Sequence, residues 1–218
     1  MVRQRMTRAQ RRAQLISIGR AVFAERGLDG VSVEEIAASA GVSKPVVYEH
    51  FGGKDGLYRA IIEEDSAELE VLILEAISHG RWRERIEGSI VALLTFVEEN
   101  RDGFIILVHG QVPGEERTYS TLLNRSIAQV SSFLGVAFKH RGLDSSIAPL
   151  YAQALVGTAS NTALWWLDER SPDKYPDKYE VAAHISNLAW NGLSGMEAQP
   201  KIELAREITT QNQTTEDE

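Results

Sequence analysis

Apolar residues recur three and four apart along most of this chain, the spacing of a helical stripe. Between Thr7 and Arg26 they fall at Leu15, Ile18, Val22 and Phe23, and Gly27 closes the run as a natural cap. After the turn "LDGV", Ser32 opens "SVEEIAASA" with Glu35 three residues on. That is a capping box, in which each side chain bonds the other's free backbone N–H. Ile36 and Ala40 share the inward face, and Gly41 stops the helix. In "GVSKPVVYEHF", Ser43 stands where it caps a third helix, and Pro45 sits in the first turn, where its missing N–H has no intrahelical partner. A long helix is predicted from Lys54 to Ser78, with others near 82–101, 103–111, 116–140, 145–169 and 178–197. The breaks "SHG", "RDG", "VPGE", "RGLDSS" and "SPDKYPDK" carry turn residues. There is no strand pattern and no internal repeat, so the fold class expected is all-α. The tail "TTQNQTTEDE" is polar and acidic and is expected to be disordered.

Two short helices joined by "AGVS" make a helix-turn-helix, whose second helix enters the major groove of DNA. Val47 and Phe51 are four apart and face inward, while Lys44, Pro45, Tyr48 and His50 project outward. The amine and the phenol reach phosphates or bases, and Pro45 offers apolar surface to a thymine methyl. His50 donates to phosphate even when neutral, and Lys54 supplies a point charge. The net charge of −8 at first argues against nucleic acid. Its distribution reverses that: residues 1–59 hold ten Lys/Arg against six Asp/Glu, and residues 60–218 thirteen against twenty-five. A basic head on an acidic body suits a DNA-binding head.

The stretch "FAERGLDGVSVEEIAASAGVSKPVVYEHFGGKDGLYRAII" closely resembles the N-terminal domain of the TetR family of one-component transcriptional regulators. The likeness covers about residues 10–62 and rests on "FAERG", "VSVEEIA", "AGVSK" and "YEHFGGKDGL". It implies a three-helix DNA-binding head, a larger helical ligand-binding and dimerisation domain, and a homodimer on an operator with two-fold symmetry. By the resemblance, Ser32 caps the second helix and touches phosphate. Ser43 opens the DNA-facing helix, Lys44, Pro45 and Val46 face bases, and Tyr48, His50 and Lys54 grip the backbone. Two residues depart from the family's pattern. Glu34 stands where some members use a basic or polar residue, and Glu49 replaces a frequent aromatic. An acid repels phosphate, whereas Glu49 could accept from a cytosine amine. The organisation expected is a basic arm and helix-turn-helix over 1–53, a helical ligand-binding and dimerisation domain over 54–208, and an acidic tail over 209–218.

A weaker resemblance covers residues 154–195, which look like the last two long helices of many family members, paired with their symmetry mates in a four-helix interface. Ala154, Gly157 and Ala163 are small enough for close helix approach, and Val181, Ile185 and Leu188 lie at helical spacing, with Gly192 beyond them. Ordinary packing within one chain would use the same residues. The effector cavity is expected among the helices between 82 and 169, with Trp82, Phe96, Phe104, Val108, Phe133 and Trp165 as apolar lining and Asn161 and His109 as orienting polar groups. Aromatics at helical spacing also serve as plain core. His79, His140 and His184 read as structural or solvated, and Trp190 as a core or interface anchor.

The absence of cysteine removes disulfides and thiolate chemistry. No Gly-rich phosphate loop, H-E-x-x-H or GxSxG motif occurs, so no enzyme activity, metal or cofactor is expected. "EEDSAELE" reads as a solvated acidic face, since no histidine joins it at ligand spacing. The basic start lacks a following apolar region, and the apolar runs "IILV" and "FLGVAF" are too short to span a bilayer, so a cytoplasmic protein without a membrane partner is expected. The function expected is a homodimeric, ligand-responsive repressor released from a palindromic double-stranded DNA operator by a small, largely apolar effector. The alternatives are a ligand-blind or architectural DNA-binding protein and, less well supported, a helical enzyme with a DNA-docking head.

Overall fold

The computed structural model describes residues 6–109, 121–169 and 176–201. These are all-α: α1 (Arg8–Arg26), α2 (Val33–Ser39), α3 (Lys44–Phe51), α4 (Lys54–Ser78), α5 (Trp82–Glu99), α6 (Arg101–His109), α7 (Thr121–His140), α8 (Ala148–Glu169) and α9 (Lys178–Ser194). The expected start of a helix at 116 and the acidic tail fall outside the described residues.

The first three helices and the start of α4 form the head. α1 begins at Thr7, whose hydroxyl accepts from the Gln10 N–H while the Gln10 side chain accepts from the Thr7 N–H. This second capping box, carried by "TRAQ", was not among the sequence expectations. Leu15, Ile16 and Phe23 are buried, and Phe23 meets Tyr58 of α4 edge-on with ring centroids 5.1 Å apart. Gly19 lets the two helices approach: a methyl there would lie 2.8 Å from Leu57 Cδ2. Between α3 and α4, Gly52 and Gly53 both adopt positive φ (74° and 132°), a turn that side-chain-bearing residues rarely make.

α4 runs unbroken over the predicted Lys54–Ser78. Its first half buries Leu57, Tyr58, Ile61 and Ile62, and Leu69 extends the same core into the body. The structure corrects the reading of "EEDSAELE" as a solvated face. Asp65 is 0% exposed, and Ser66 is buried beside it. The Asp65 carboxylate accepts from Arg20 Nε at 2.9 Å and Arg20 Nη2 at 2.6 Å, and from Asn100 Nδ2 at 3.2 Å. Its partners lie 45 and 35 residues away, so local spacing could not reveal them. Asn100 also ends α5 at Glu99, two residues earlier than expected. Its Oδ1 accepts from the Gly103 N–H at 3.1 Å, which starts α6. The helix expected over 145–169 opens instead with a 3-10 turn, Ser145–Ile147, capped by Asp144.

The body has two cores. The main one joins the head to α5, α6, α8 and α9 through residues such as Leu94, Phe96, Phe104, Trp166 and Val181. A smaller one, centred on Leu134, Phe138, Ala148 and Ala152, ties α7 to α8. Where the two cores fail to merge, space remains.

Candidate DNA-facing surface and effector cavity

The DNA-facing surface is built from the capping box upward. The Ser32 hydroxyl accepts from the Glu35 N–H at 3.2 Å and donates to Glu35 Oε2 at 2.7 Å, and the Ser32 N–H reaches the same oxygen at 2.8 Å. Arg26 donates to the other carboxylate oxygen at 2.8 Å. The Ser32 backbone N–H, then its hydroxyl and Arg26, pull the Glu35 carboxyl down to about 2. α2 is thereby fixed at its start.

α3 presents Lys44, Pro45 and Tyr48 to solvent, with Val46 and His50 half-buried and Val47 fully buried beneath. Ser43 takes the N-cap backbone conformation, yet its hydroxyl makes no cap hydrogen bond, so the side-chain cap expected there is replaced by Pro45 in the first turn. Phe51 faces inward as expected and packs against the core, but it is only half-buried, with the Arg12 guanidinium 5.4 Å from its ring centre. Lys44 pairs with Glu34 and lies 5.8 Å from the centre of the Tyr48 ring. The hydrogen bond between them holds Lys44 above its ordinary value and Glu34 below its own. The departure at Glu34 therefore has a structural counterpart: it braces α2 against α3. Lys54 points away from the role assigned to it. Its ammonium donates to the carbonyls of Leu28 and Val31 at 3.1 and 3.2 Å, clasping the α1–α2 loop to α4. Asp29, Glu35 and Asp55 line the hollow beside it, so that hollow does not favour an anion.

In the body, two cavities of about 520 and 310 Å³ share walls at Ile73, Ile86, Ser89, Ser126, Val130 and Leu193. Of the residues expected to line a cavity, Trp82 and Phe133 border the larger and Phe104 and Val108 the smaller. The other four border neither. Phe96 is sealed in the main core, while His109, Asn161 and Trp165 are exposed. Tyr151, Trp190, His140, Arg85 and Arg141 also line the cavities and were not anticipated there. Only a three-dimensional path joins α5 to the far end of α7, so spacing carried no signal for them.

Among the residues expected at a dimer interface, Ala163, Val181 and Ile185 are buried within this chain. They serve the intrachain packing that the sequence left as the alternative. Leu188 is 65% exposed, Ala154 and Gly192 are exposed, and Gly157 is half-buried with open space where a side chain would stand. Trp165 at 50% and Leu150 at 68% add to this apolar exposure on α8.

Residues 15–61 match the family described as bacterial regulatory proteins, tetR family. Residues 82–192, half of the chain, match the tetracyclin repressor-like C-terminal domain. The chain belongs to the TetR family. The HTH-type transcriptional activator FasR of Mycolicibacterium smegmatis is 28% identical over 191 residues, 87% of this chain and 86% of its own. The HTH-type transcriptional repressor AcnR of Corynebacterium jeikeium is 29% identical over 92 residues, 42% of this chain and 43% of its own. A solved TetR-like regulator from Rhodococcus sp. RHA1 superposes with a TM-score of 0.72 at 25% identity, covering 88% of this chain and all of that one. This TetR-family chain is thus a DNA-binding transcriptional regulator. Among the described residues, no group of three or more His, Asp or Glu could hold a metal, and no helix is long and apolar enough to cross a membrane.

Proposed function

We propose that this TetR-family regulator acts as a cytoplasmic homodimer that leaves a palindromic operator when a largely apolar effector fills the body cavities. The observation that carries the reading is one continuous helix. α4 is clasped to the head by Lys54 at its start and forms a cavity wall with Ile73 near its end. An effector that favours a different tilt of α4 changes the separation of the two recognition helices, which must sit about 34 Å apart for successive major grooves. Its differential affinity for the two arrangements is the coupling free energy. Lys44, Pro45 and Tyr48 are the proposed contacts to DNA, with Val46 and His50 second. Leu188, Gly192, Ala154 and Gly157 supply the proposed self-association face, since they are exposed or have open space beside them within one chain. Ala154, Leu188 and Gly192 also border the smaller cavity, so a partner packed there would cover its outer side. Residues 54–208 would form the effector-binding and dimerisation unit, with the first turns of α4 also packed into the head, and with no cofactor and no catalytic role.

Repression is the ordinary outcome of a dimer parked on a promoter. A second reading has a specific ground. The AcnR repressor matches 42% of this chain, whereas the FasR activator matches 87% of it. Both readings share the same release step, and the position of the operator relative to the promoter decides between them.

The test is fluorescence anisotropy with DNA from upstream of the protein's own gene, across a salt series. Saturation by two chains per palindrome, with affinity falling steeply as salt rises, is expected from two heads neutralising several phosphates each. Lys44→Ala and Tyr48→Ala should each weaken binding about tenfold, the loss of a charge-assisted or phenolic contact. Equal, weak binding to all sequences, random pools included, would overturn the reading in favour of an architectural protein.

A further inference from the structure

We infer that the effector is an anionic amphiphile, with its head group held by Arg85 in the larger cavity and its apolar chain running past Ser89 into the smaller one. This rests on the effector reading above and names the ligand class that the site takes.

The two cavities differ in charge. The smaller is lined by no Asp, Glu, Lys, Arg or His. The larger is lined by Arg85, His140 and Arg141 and by no carboxylate, in a chain with 31 Asp and Glu. One end therefore suits a hydrocarbon and the other an anion, and the two cavities adjoin across Ile73, Ile86, Ser89, Ser126, Val130 and Leu193. The basic residues are not equivalent. Arg141 already donates to the Leu193 and Ser194 carbonyls, at 2.6 and 3.1 Å, so it caps α9 and adds only its field. Arg85 is half-buried and differently placed. Its Nε donates to the Gly80 carbonyl at 3.0 Å, while the guanidinium lies 5.7 Å from the Trp82 ring centre and 5.6 Å from that of Phe133. Those rings are themselves 4.5 Å apart. The aromatic pair and one carbonyl orient the fork, and among the described residues no carboxylate pairs with it. Arg83, two residues earlier on the same helix, is paired with Glu87 at 2.9 Å. A pre-oriented, carboxylate-free guanidinium on the wall of an apolar cavity is a receptor for a carboxylate or phosphate.

A fatty-acid carboxylate and the phosphates of an acyl thioester share this chemistry, and the probes separate them. Palmitate, palmitoyl-coenzyme A and hexadecanol, each below its micellar concentration, would be titrated against the full chain by tryptophan fluorescence. In the wild type at least one anionic probe should bind about tenfold or more tighter than hexadecanol, the scale of one charge-assisted bond. In Arg85→Gln that preference should collapse to near unity, and Arg85→Lys should keep most of it. Because the ratio is taken within each protein, general loosening of the cavity affects both arms alike. Preference for palmitate identifies the carboxylate source, and preference for the thioester alone identifies the phosphates. An unchanged ratio in Arg85→Gln overturns the head-group assignment but leaves the effector reading standing. Failure of all three probes to bind the wild type sinks both.

Discussion

The head and the α7 side of the body are built from the same residue types and packed to different standards. In the head, Leu15, Val47, Leu57 and Ile61 are 0% exposed, and the start of each helix is held by a box, a proline or a clasp. In the body, the α7–α8 core stands apart from the main core, and Val130 and Ile86, each packed against a core on one side, border empty space on the other. A surface that must match DNA in one geometry gains from rigidity, whereas a site that must admit a ligand needs unfilled volume. The contrast can be broken by truncation. Leu57→Ala should cost about 3–4 kcal/mol, transfer plus a cavity that the tight Gly19 contact cannot close. Val130→Ala should cost about 1 kcal/mol or less, because its methyl groups already lack partners on one side. Urea unfolding at fixed protein concentration checks both, and equal losses would remove the distinction.

The seam between the two regions is Asp65 with Arg20 and Asn100. Removing one partner of a buried pair strands the other, so Asp65→Asn should destabilise by about 3 kcal/mol, while Arg20→Met combined with Asp65→Leu should cost far less. If the single and double variants unfold at the same urea concentration, the pair is not what joins head to body.

This seam also marks the limit of what the sequence discloses. The head's helix boundaries were legible, because the Ser32 box, the helix stops and the proline act within four positions of one another. The length of α4 was legible for the same reason. Asp65 looked solvated because its partners sit on other helices, and Lys54 looked free for DNA because the carbonyls it clasps belong to an earlier loop. Half of the expected cavity lining missed because periodicity marks an apolar face without saying what that face meets. Phe96 met the main core, and Phe133 met the void.

Rigidity across the seam can be sharpened by loosening α4 where it touches nothing. Ala67 and Glu68 are both exposed. Glycine at each should cost about 2 kcal/mol in total from helix propensity. Effector affinity should hold, while the effector's influence on operator affinity should fall several-fold. Unaltered release from DNA, measured by anisotropy with saturating effector, would mean that the signal does not travel through α4.

The smallest effects lie within the capping box itself, where its two halves should separate by pH. Ser32→Ala removes the hydroxyl cap and should cost about 1 kcal/mol at pH 7. Its pH dependence should be weaker than that of Glu35→Gln, because alanine removes the hydroxyl's share of the Glu35 depression but keeps the backbone N–H that is its largest cause. Glu35→Gln instead removes a charge whose carboxyl sits at about 2 in the fold against an ordinary 4.5. A depressed acid stabilises the fold above its unfolded value, and that contribution drains away as pH falls through the folded one. The gap between wild type and Glu35→Gln should therefore be full at pH 7, begin to close below about 4.5, and vanish near 2. The gap for Ser32→Ala should narrow over that range without closing, because the hydroxyl's bond from the Glu35 N–H does not depend on the carboxyl's charge. Thermal melts of the three proteins at stepped pH read this directly. Parallel pH curves for the two variants would mean that the carboxylate is no more than a neutral acceptor at the start of α2.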